Sequence, residues 1–350
     1  MPKRFAAIGL LLIALGLAGA CAPKIAPVDA ADDLAAYAEI LPEQAPESDP
    51  AAVSAEALAA FDFSRSPFPG GQGWYYFNGH LLDQESRRWT IMFAILPDWQ
   101  VFGIVELPDR QITLPIYRRQ PTVTLLDDRS LSARDLATLR QPEAGRLRYE
   151  FKFEDARLQL NLTLSALKAP IRVNGHGEIT MGHTGTSSYY LIPSMRIAGD
   201  AFFGNQTYEL SGLGWMDHQW GKWDLPQIRR WHWHAIHLSN GGELMVFEIL
   251  NRDPAKNEML CDYIKPDGGL LAREPCKTKI LQTWASPRTG KTWAAAWRIE
   301  MPMEKAELTL IPDSLDREIN PVIYEGGCHV RGTFRGEPVV GRSFYEEYQK

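Results

Sequence analysis

The amino-acid sequence predicts an all-β protein, folded as a barrel or a sandwich of antiparallel strands. Apolar and polar residues alternate over 147–153 and again over 158–164, with a short polar turn between the two runs. This alternation is typical of a hairpin with one face in water. A second hairpin is predicted at 231–250 around an Asn-Gly turn, and helical periodicity is weak. Many short strands and few helices are typical of a barrel or a sandwich, and in a barrel we expect the functional site at the mouth.

Further strands are expected where aromatic and aliphatic residues recur in short runs between polar turns. These segments are Trp74–Leu82, Trp89–Leu96, Ile171–Met181, Thr292–Glu300 and Ala306–Ile311. Ala133–Leu139 is the best candidate for a short helix within this region.

The first two dozen residues predict an exported, lipid-anchored protein. A basic start, Lys3-Arg4, precedes an apolar run over 5–18 that is typical of a secretory signal peptide and too short for a comfortable transmembrane helix. Two small residues then lead directly to Cys21, in a pattern that resembles a lipobox. We therefore expect residues 1–20 to be removed and Cys21 to carry the lipid. An ordinary cleaved signal with an incidental cysteine is the alternative.

Residues 21–60 are predicted to form a lipidated tether, because Ala, Pro, Asp and Glu dominate and large apolar residues are few. One short helix is expected around 51–60. The residue directly after Cys21 is not acidic. This pattern resembles that of lipoproteins sorted to the outer membrane of a Gram-negative bacterium. The expected location is the periplasmic side of that membrane, with the lipid anchor as the membrane contact.

Charge and composition narrow the choice of partner. The net charge is −6, and removal of residues 1–20, which hold two basic and no acidic residues, leaves −8. An acidic surface argues against nucleic acid as a partner. The 11 Trp residues exceed the needs of a bare core, and such a surplus often lines a cavity. We expect an apolar small-molecule ligand, and a transport system is a possible protein partner.

Three cysteines remain after maturation. Cys261 and Cys276 bracket one hairpin-sized loop, and an oxidising periplasm permits a disulfide between them. Cys328 is then a buried, unpaired thiol. Sequence spacing leaves both the bridge and the free thiols open.

Three stretches of the sequence point to one family when they are taken together. The first is WYYFNGHL at 74–81. The second is GLGWMDHQWG at 212–221, followed by WHW at 231–233. The third begins with YEG at 324–326 and ends with FYE at 344–346. Their order resembles the carotenoid 1,2-hydratase and AttH-like family of double-lipocalin proteins, over about residue 61 to the C-terminus. Two positions depart from the family pattern: Gln219 replaces a usual Glu, and Gly73 replaces a usual acidic residue. The usual Leu-Thr-Gly-Tyr-like ending is also replaced, by EYQK at 347–350.

The resemblance implies an all-β protein of two lipocalin-like antiparallel barrels or half-barrels, at residues 61–200 and 201–350. It also implies a pocket for an apolar ligand, without a metal or a cofactor. Relatives include hydratases acting on isolated double bonds, phytoalexin hydratases and cyclising Diels–Alderases. The family is often catalogued as secreted hydrolases, yet the sequence contains no Gly-x-Ser-x-Gly elbow for a serine nucleophile.

Asp217 is the candidate catalytic acid, with His218 beside it. Trp215, Met216 and Trp220 surround the carboxyl group in sequence, and desolvation raises the pKa of such an acid. Adding water to an unactivated alkene requires an acid that protonates carbon. The alternative is a structural role, in which Asp217 caps a turn or pairs with an arginine at 229 or 230.

Aromatic residues from all three stretches form the predicted ligand site, where ring faces can stabilise a carbocation. The predicted ligand-binding residues are Trp74, Tyr76, His80, Trp215, Trp220, Trp231 and Trp233. Core packing is the alternative role for the residues at 74–80.

Alternation along 231–238 places His232 and His234 on one strand face and the tryptophans on the other. We expect the histidine face to form a surface or a pocket rim and the tryptophan face to pack inward. A zinc site, with Asp217 or His218 as third ligand, is the alternative.

Two functions from different classes remain open at this point. The first is a periplasm-facing lipoprotein that binds or carries an apolar isoprenoid-, lipid- or polyketide-like molecule. The second is a cofactor-free hydratase or related lyase in which Asp217 is the general acid. The enzyme requires the proton of Asp217, whereas the carrier requires only the cavity.

Overall fold

The computed structural model describes residues 40, 55–63, 72–97, 100–107, 113–119, 124–126, 128–134 and 136–350. The predicted signal peptide, Cys21 and most of the predicted tether lie outside the described residues. Within the described part, no helix is long and apolar enough to cross a membrane.

The predicted all-β fold is confirmed: two antiparallel sheets, each curled into a half-barrel, account for most of the described chain. The first sheet follows a short helix, α1 (Ala55–Ala60). Its strands are β1 (Gln72–Asp83), β2 (Arg88–Ile95), β3 (Gln100–Glu106), β4 (Thr113–Arg119), β5 (Thr124–Leu125), β6 (Ser130–Ala133), β7 (Ala137–Arg140), β8 (Arg148–Glu154), β9 (Leu158–Ala166), β10 (Ile171–Arg172), β11 (Glu178–Thr180), β12 (Thr186–Phe203) and β13 (Gln206–Lys222). Their order is β4-β3-β2-β1-β13-β12-β9-β8-β7-β6-β5, with β10 and β11 also paired to β12.

The second sheet contains the remaining strands of the described chain. They are β14 (Ile228–Leu238), β15 (Glu243–Asn251), β16 (Glu258–Ile264), β17 (Leu270–Leu271), β18 (Lys277–Ala285), β19 (Thr292–Met301), β20 (Ala306–Pro312), β21 (Glu318–Asn320), β22 (Ile323–Phe334) and β23 (Glu337–Gln349). Their order is β17-β16-β15-β14-β23-β22-β20-β19-β18, with β21 on β22. Single 3-10 turns lie at Val173–Gly175, Leu225–Gln227 and Pro254–Lys256.

Two sequence predictions need correction. The predicted boundary between the two domains, at residue 200, falls inside β12. Strands β12 and β13 form one long hairpin of the first sheet, so the boundary between the two halves lies between Lys222 and Ile228. The segment predicted as a helix, Ala133–Leu139, instead contains the end of β6 and the first residues of β7. Arg134 adopts a positive φ of 53° there, which lets Ala133 pair with Ala137 and ends any helical periodicity.

The last part of the predicted tether is packed rather than solvated. Helix α1 lies within the expected 51–60 segment and buries Ala57 and Ala60, and Phe61 and Phe63 follow them into the core. The Tyr149 hydroxyl donates a hydrogen bond to the Phe61 carbonyl at 3.2 Å. These apolar contacts show that packed structure already includes residues 55–60, which the sequence analysis assigned to the tether.

Three apolar cores run through the molecule, one inside each half and one between the halves. The central strands β1, β13, β14 and β23 are buried on both faces. Because side chains alternate along a strand, each of these strands sends one set of residues into its own half and the other set into the middle core. The middle core therefore collects residues from both halves.

A surface depression of about 650 Å³ lies elsewhere, at the β8–β9 turn and the β12–β13 turn. It is lined by residues 154–159 and 202–205 and contains none of the predicted site residues.

Candidate active site between the two halves

Most of the predicted site residues meet in the middle core. Strands β1 and β13 are neighbours, and Tyr76 pairs directly with Asp217 in their register. Strand β14 of the second half packs opposite them. The predicted residues on the faces toward the middle core are Trp74, Tyr76 and His80 from β1, Trp215 and Asp217 from β13, and Trp231 and Trp233 from β14. The structure thus brings together seven of the nine predicted catalytic and ligand-binding residues.

Asp217 is a buried carboxyl group, 3 % exposed, held by two hydrogen-bond donors. The Trp215 indole N–H donates to Oδ1 at 2.6 Å, and the Tyr189 hydroxyl donates to Oδ2 at 2.7 Å. Trp233 in turn donates its indole N–H to the Tyr189 oxygen at 2.8 Å. Burial raises the pKa of Asp217 to about 8, although both hydrogen bonds act to lower it.

The direction of these hydrogen bonds leaves the acid proton of Asp217 available. Both indole N–H groups can only donate. Because Trp233 already donates to the Tyr189 oxygen, the tyrosine proton is directed at Asp217. A protonated Asp217 therefore receives hydrogen bonds from both neighbours and can present its own proton to a third group.

Two predicted residues, His218 and Trp220, do not join this site. They lie on the opposite face of β13, in the core of the first half. His218 stacks on Tyr75 with ring centroids 3.8 Å apart, and its Nδ1 lies 2.6 Å from the Ala60 carbonyl oxygen. Adjacent residues on a strand point to opposite faces, so His218 cannot assist Asp217 directly.

Two further carboxyl groups, Glu325 and Glu346, lie in the middle core and were missed by the sequence analysis. They are direct partners across β22 and β23. Glu346 accepts the Trp231 indole N–H, and burial raises its pKa to about 7. Glu325 is fully buried, and no described residue donates a hydrogen bond to either of its carboxyl oxygens. Burial and the charge of Glu346 raise the pKa of Glu325 well above the usual range.

Tyr76 links the three acids. Burial raises its pKa most, and the charges of Glu325, Glu346 and Asp217 raise it further. Its ring also contacts Trp233, with centroids 5.3 Å apart. Asp217 and the Glu325–Glu346 pair therefore all lie within electrostatic reach of the Tyr76 hydroxyl. Their sequence motifs are more than a hundred residues apart, and only the strand register reveals the convergence.

The histidine face of β14 is not a rim, and this prediction was wrong. His232 and His234 are buried inside the second half, where both rings pack on Trp297. Because β14 is central, both of its faces are buried from Trp231 to Leu238. The alternative zinc set is also dispersed, since Asp217 faces the middle core and His218 the first half. Among the residues that the structure describes, no group of His, Cys, Asp and Glu could hold a metal ion.

Two of the departures from the family pattern are neighbours in space. Gln219 is fully buried, and its amide atoms have no hydrogen-bond partner in the described structure. A Cβ on Gly73 would lie 2.4 Å from the Gln219 carbonyl oxygen, which no real side chain tolerates. Close packing of β1 on β13 therefore requires glycine at position 73.

All three described cysteines are thiols. A hydrogen bond with Cys276 and burial raise the pKa of Cys261, so the two residues of the suggested bridge are neighbours. Cys328 is buried, as predicted.

The fold and the site define a double lipocalin-like protein with an acid buried between its halves. The sequence profile of the AttH-like family matches residues 111–346. The chain belongs to the AttH-like family.

Solved structures share this fold. NE1406 of Nitrosomonas europaea, described as an AttH, is 20 % identical with a TM-score of 0.70, covering 87 % of this chain and all of that chain. Kievitone hydratase from Nectria haematococca is 13 % identical with a TM-score of 0.74, covering 87 % and 98 %. CghA is 12 % identical with a TM-score of 0.55, covering 89 % and 96 %. A search of curated proteins gave no match.

Proposed function

We propose that this protein binds an apolar, unsaturated small molecule between its two halves and adds water to an isolated carbon–carbon double bond. Asp217 is the general acid, and no cofactor takes part. The observation that carries the proposal is the Asp217 carboxyl, buried between aromatic rings, with a pKa raised to about 8 by that burial. Such an acid is protonated at neutral pH and can protonate carbon.

The proposed reaction balances without an external reagent. The O–H bond of Asp217 breaks, and its proton forms a C–H bond with one alkene carbon, leaving a cation on the other carbon and a carboxylate on Asp217. A water oxygen then bonds to the cation, and the released proton passes to Glu346. Glu346 is close enough for its charge to raise the pKa of Asp217, and the charges of both groups also raise the pKa of Tyr76, through whose hydroxyl we propose that the proton returns.

The walls of the site suit this chemistry. Trp215 and Trp233 lie edge to face with centroids 6.1 Å apart, and Tyr76 packs on Trp233. Aromatic faces stabilise a nearby cation by about 0.5–2 kcal/mol each. The apolar lining also favours an isoprenoid-like or polyketide-like ligand over a charged one. One structural relative is a kievitone hydratase, which agrees with this reaction class, and its likeness at 13 % identity concerns the fold alone.

Incubation of the purified protein with an acyclic carotenoid or a smaller isoprenoid alkene in D₂O tests the reaction. We expect an alcohol that carries one carbon-bound deuterium, because the proton of Asp217 exchanges with solvent before it is transferred. Mass spectrometry and NMR locate the label. Binding of these alkenes without any product would favour the carrier and contradict the hydratase.

The pH dependence of the reaction follows from two buried carboxyls. Asp217 must be protonated, so activity falls as pH rises through about 8. Glu346 must be ionised to accept the proton from water, so activity falls as pH drops through about 7. We expect a bell-shaped profile of kcat/KM with its maximum near pH 7–8, and loss of the acidic limb in Glu346→Gln. A profile flat from pH 6 to 9 would exclude this pair.

We further propose that the protein is anchored by an acylated Cys21 on the periplasmic side of the outer membrane. In Cys21→Ser, we expect the protein to leave the membrane fraction and to lose labelling by radioactive palmitate. Two or three acyl chains are needed for a stable anchor, and the variant carries none. A variant that stays in the membrane with unchanged mass and labelling would contradict the lipobox.

A further inference from the structure

The interior of the second half contains a buried cation, Arg317, which the proposed reaction does not use. Arg317 is fully buried in the segment between β20 and β21. Its Nη1 donates to the Gly327 carbonyl at 2.8 Å and lies 3.4 Å from the Cys328 sulfur. Its Nε and Nη2 have no hydrogen-bond partner within the described part of the chain. These two groups form one edge of the planar guanidinium, the edge that binds a carboxylate through two parallel hydrogen bonds.

Among the described residues, no carboxylate forms a hydrogen bond with Nε or Nη2 of Arg317. No carboxylate of the described residues lies within ion-pair distance of Arg317. Glu106 is close enough to interact with it: its Oε2 accepts the Gly327 N–H at 2.9 Å, and its Oε1 has no hydrogen-bond partner among the described residues, the Arg317 edge included. Burial and Asp313 raise the pKa of Glu106 to about 7, so it is only partly ionised at neutral pH. A buried guanidinium without a full counter-charge is costly, which indicates a missing anion.

Other unpaired polar groups border the same aromatic cluster. His234 is fully buried, and among the described residues neither of its ring nitrogens has a hydrogen-bond partner and the Trp297 indole N–H has no acceptor. The ring of Tyr345 adjoins all of these groups: His234 is 4.8 Å and Trp297 is 5.4 Å away between centroids, and the Arg317 guanidinium carbon lies 5.9 Å from its centroid. Unfilled donors and flat rings thus surround one region inside the second half.

We propose that this region is a second binding site, in which the open edge of Arg317 holds the carboxylate of a small organic acid. One guanidinium balances one carboxylate, whereas a phosphate carries about −1.5 to −2 and would leave excess charge buried. The rings of Trp297 and Tyr345 suit a planar acid such as a benzoate. This site lies on the opposite face of β14 from Asp217, and it is independent of the proposed hydration.

Titration calorimetry with benzoate on the purified full chain at pH 7 tests the site. We expect benzoate to bind and to raise the melting temperature, and Arg317→Lys to weaken binding at least tenfold, because lysine keeps the charge but loses the two-donor edge. Arg317→Met should abolish binding. The matched control is Arg298→Lys, a partly exposed arginine on β19 paired with Glu307 at 3.4 Å, which should bind benzoate as the wild type does.

A crystal soak with 4-bromobenzoate provides a test that does not depend on a variant folding. Anomalous scattering from bromine is expected inside the second half, with the carboxylate on Nε and Nη2 of Arg317. The proposal is overturned if benzoate does not bind the wild type, if inorganic phosphate binds more tightly than benzoate, or if the soaked crystal shows only water or Glu106 on that edge.

Discussion

Asp217→Asn is expected to reduce turnover of an alkene substrate a hundredfold or more while the protein still folds and binds. Asparagine has nearly the same shape and still accepts one of the hydrogen bonds from Trp215 and Tyr189. It has no acid proton, and general-acid catalysis typically supplies about 10²–10⁴-fold. Steady-state rates and apolar-probe binding, measured on the same preparation, separate the loss of chemistry from the loss of the ligand site.

The stability of this variant provides its control. The pKa of Asp217 is raised from an unfolded value of about 3.9 to about 8 in the folded protein. The stability that protonated Asp217 contributes is complete below pH 4 and is lost as pH rises through about 8. Asp217→Asn should therefore lose less stability than the wild type between pH 6 and 9 in urea titrations. If the variant unfolds at every pH and shows no separate loss of turnover, Asp217 is a structural residue.

Trp233→Ala is expected to lower the free energy of unfolding by about 3–5 kcal/mol, the usual cost of truncating a buried tryptophan. Trp233 is 3 % exposed, packs on Tyr76 and Trp215, and holds Tyr189. Affinity for a neutral apolar probe such as Nile red should fall about tenfold, since roughly 60 Å² of lost contact at about 25 cal/mol per Å² is about 1.5 kcal/mol. Urea unfolding and fluorescence titration measure the two effects.

Two matched variants sharpen the result. Trp233→Phe keeps a smaller ring in the site and loses part of the contact area together with the N–H donated to Tyr189, so more of the probe affinity should remain than in Trp233→Ala. Trp220→Ala removes a tryptophan from the opposite face of β13 and should leave probe affinity unchanged. A greater loss of affinity in Trp220→Ala than in Trp233→Ala would place the ligand inside the first half instead of between the halves.

Much of the fold could be predicted from the sequence because several hairpins have one apolar and one polar face. The alternation at 147–164 corresponds to β8 and β9, and the Asn-Gly hairpin at 231–250 corresponds to β14 and β15. The prediction failed where both faces of a strand are buried. On β14 the histidine face and the tryptophan face are both enclosed, and alternation alone cannot distinguish two interiors.

The candidate site could be predicted only in part, for a related reason. Asp217 and its aromatic neighbours stand close together in the sequence, whereas Glu325 and Glu346 reach the site through pairing of β22 with β23 and of β23 with β14. His218 was grouped with Asp217 because the two are adjacent, although strand geometry sends adjacent side chains to opposite faces.

The protonation state of Asp217 tests the central claim most directly, and it requires no substrate. Infrared spectra of the wild type minus Asp217→Asn isolate the carbonyl stretch of this one carboxyl group. The band of a protonated carboxylic acid is expected at pH 6 and at pH 7, and it should give way to the carboxylate bands as pH rises through about 8. A carboxylate signal already complete at pH 6 would show that Asp217 has no proton to donate, and it would contradict acid catalysis at this site.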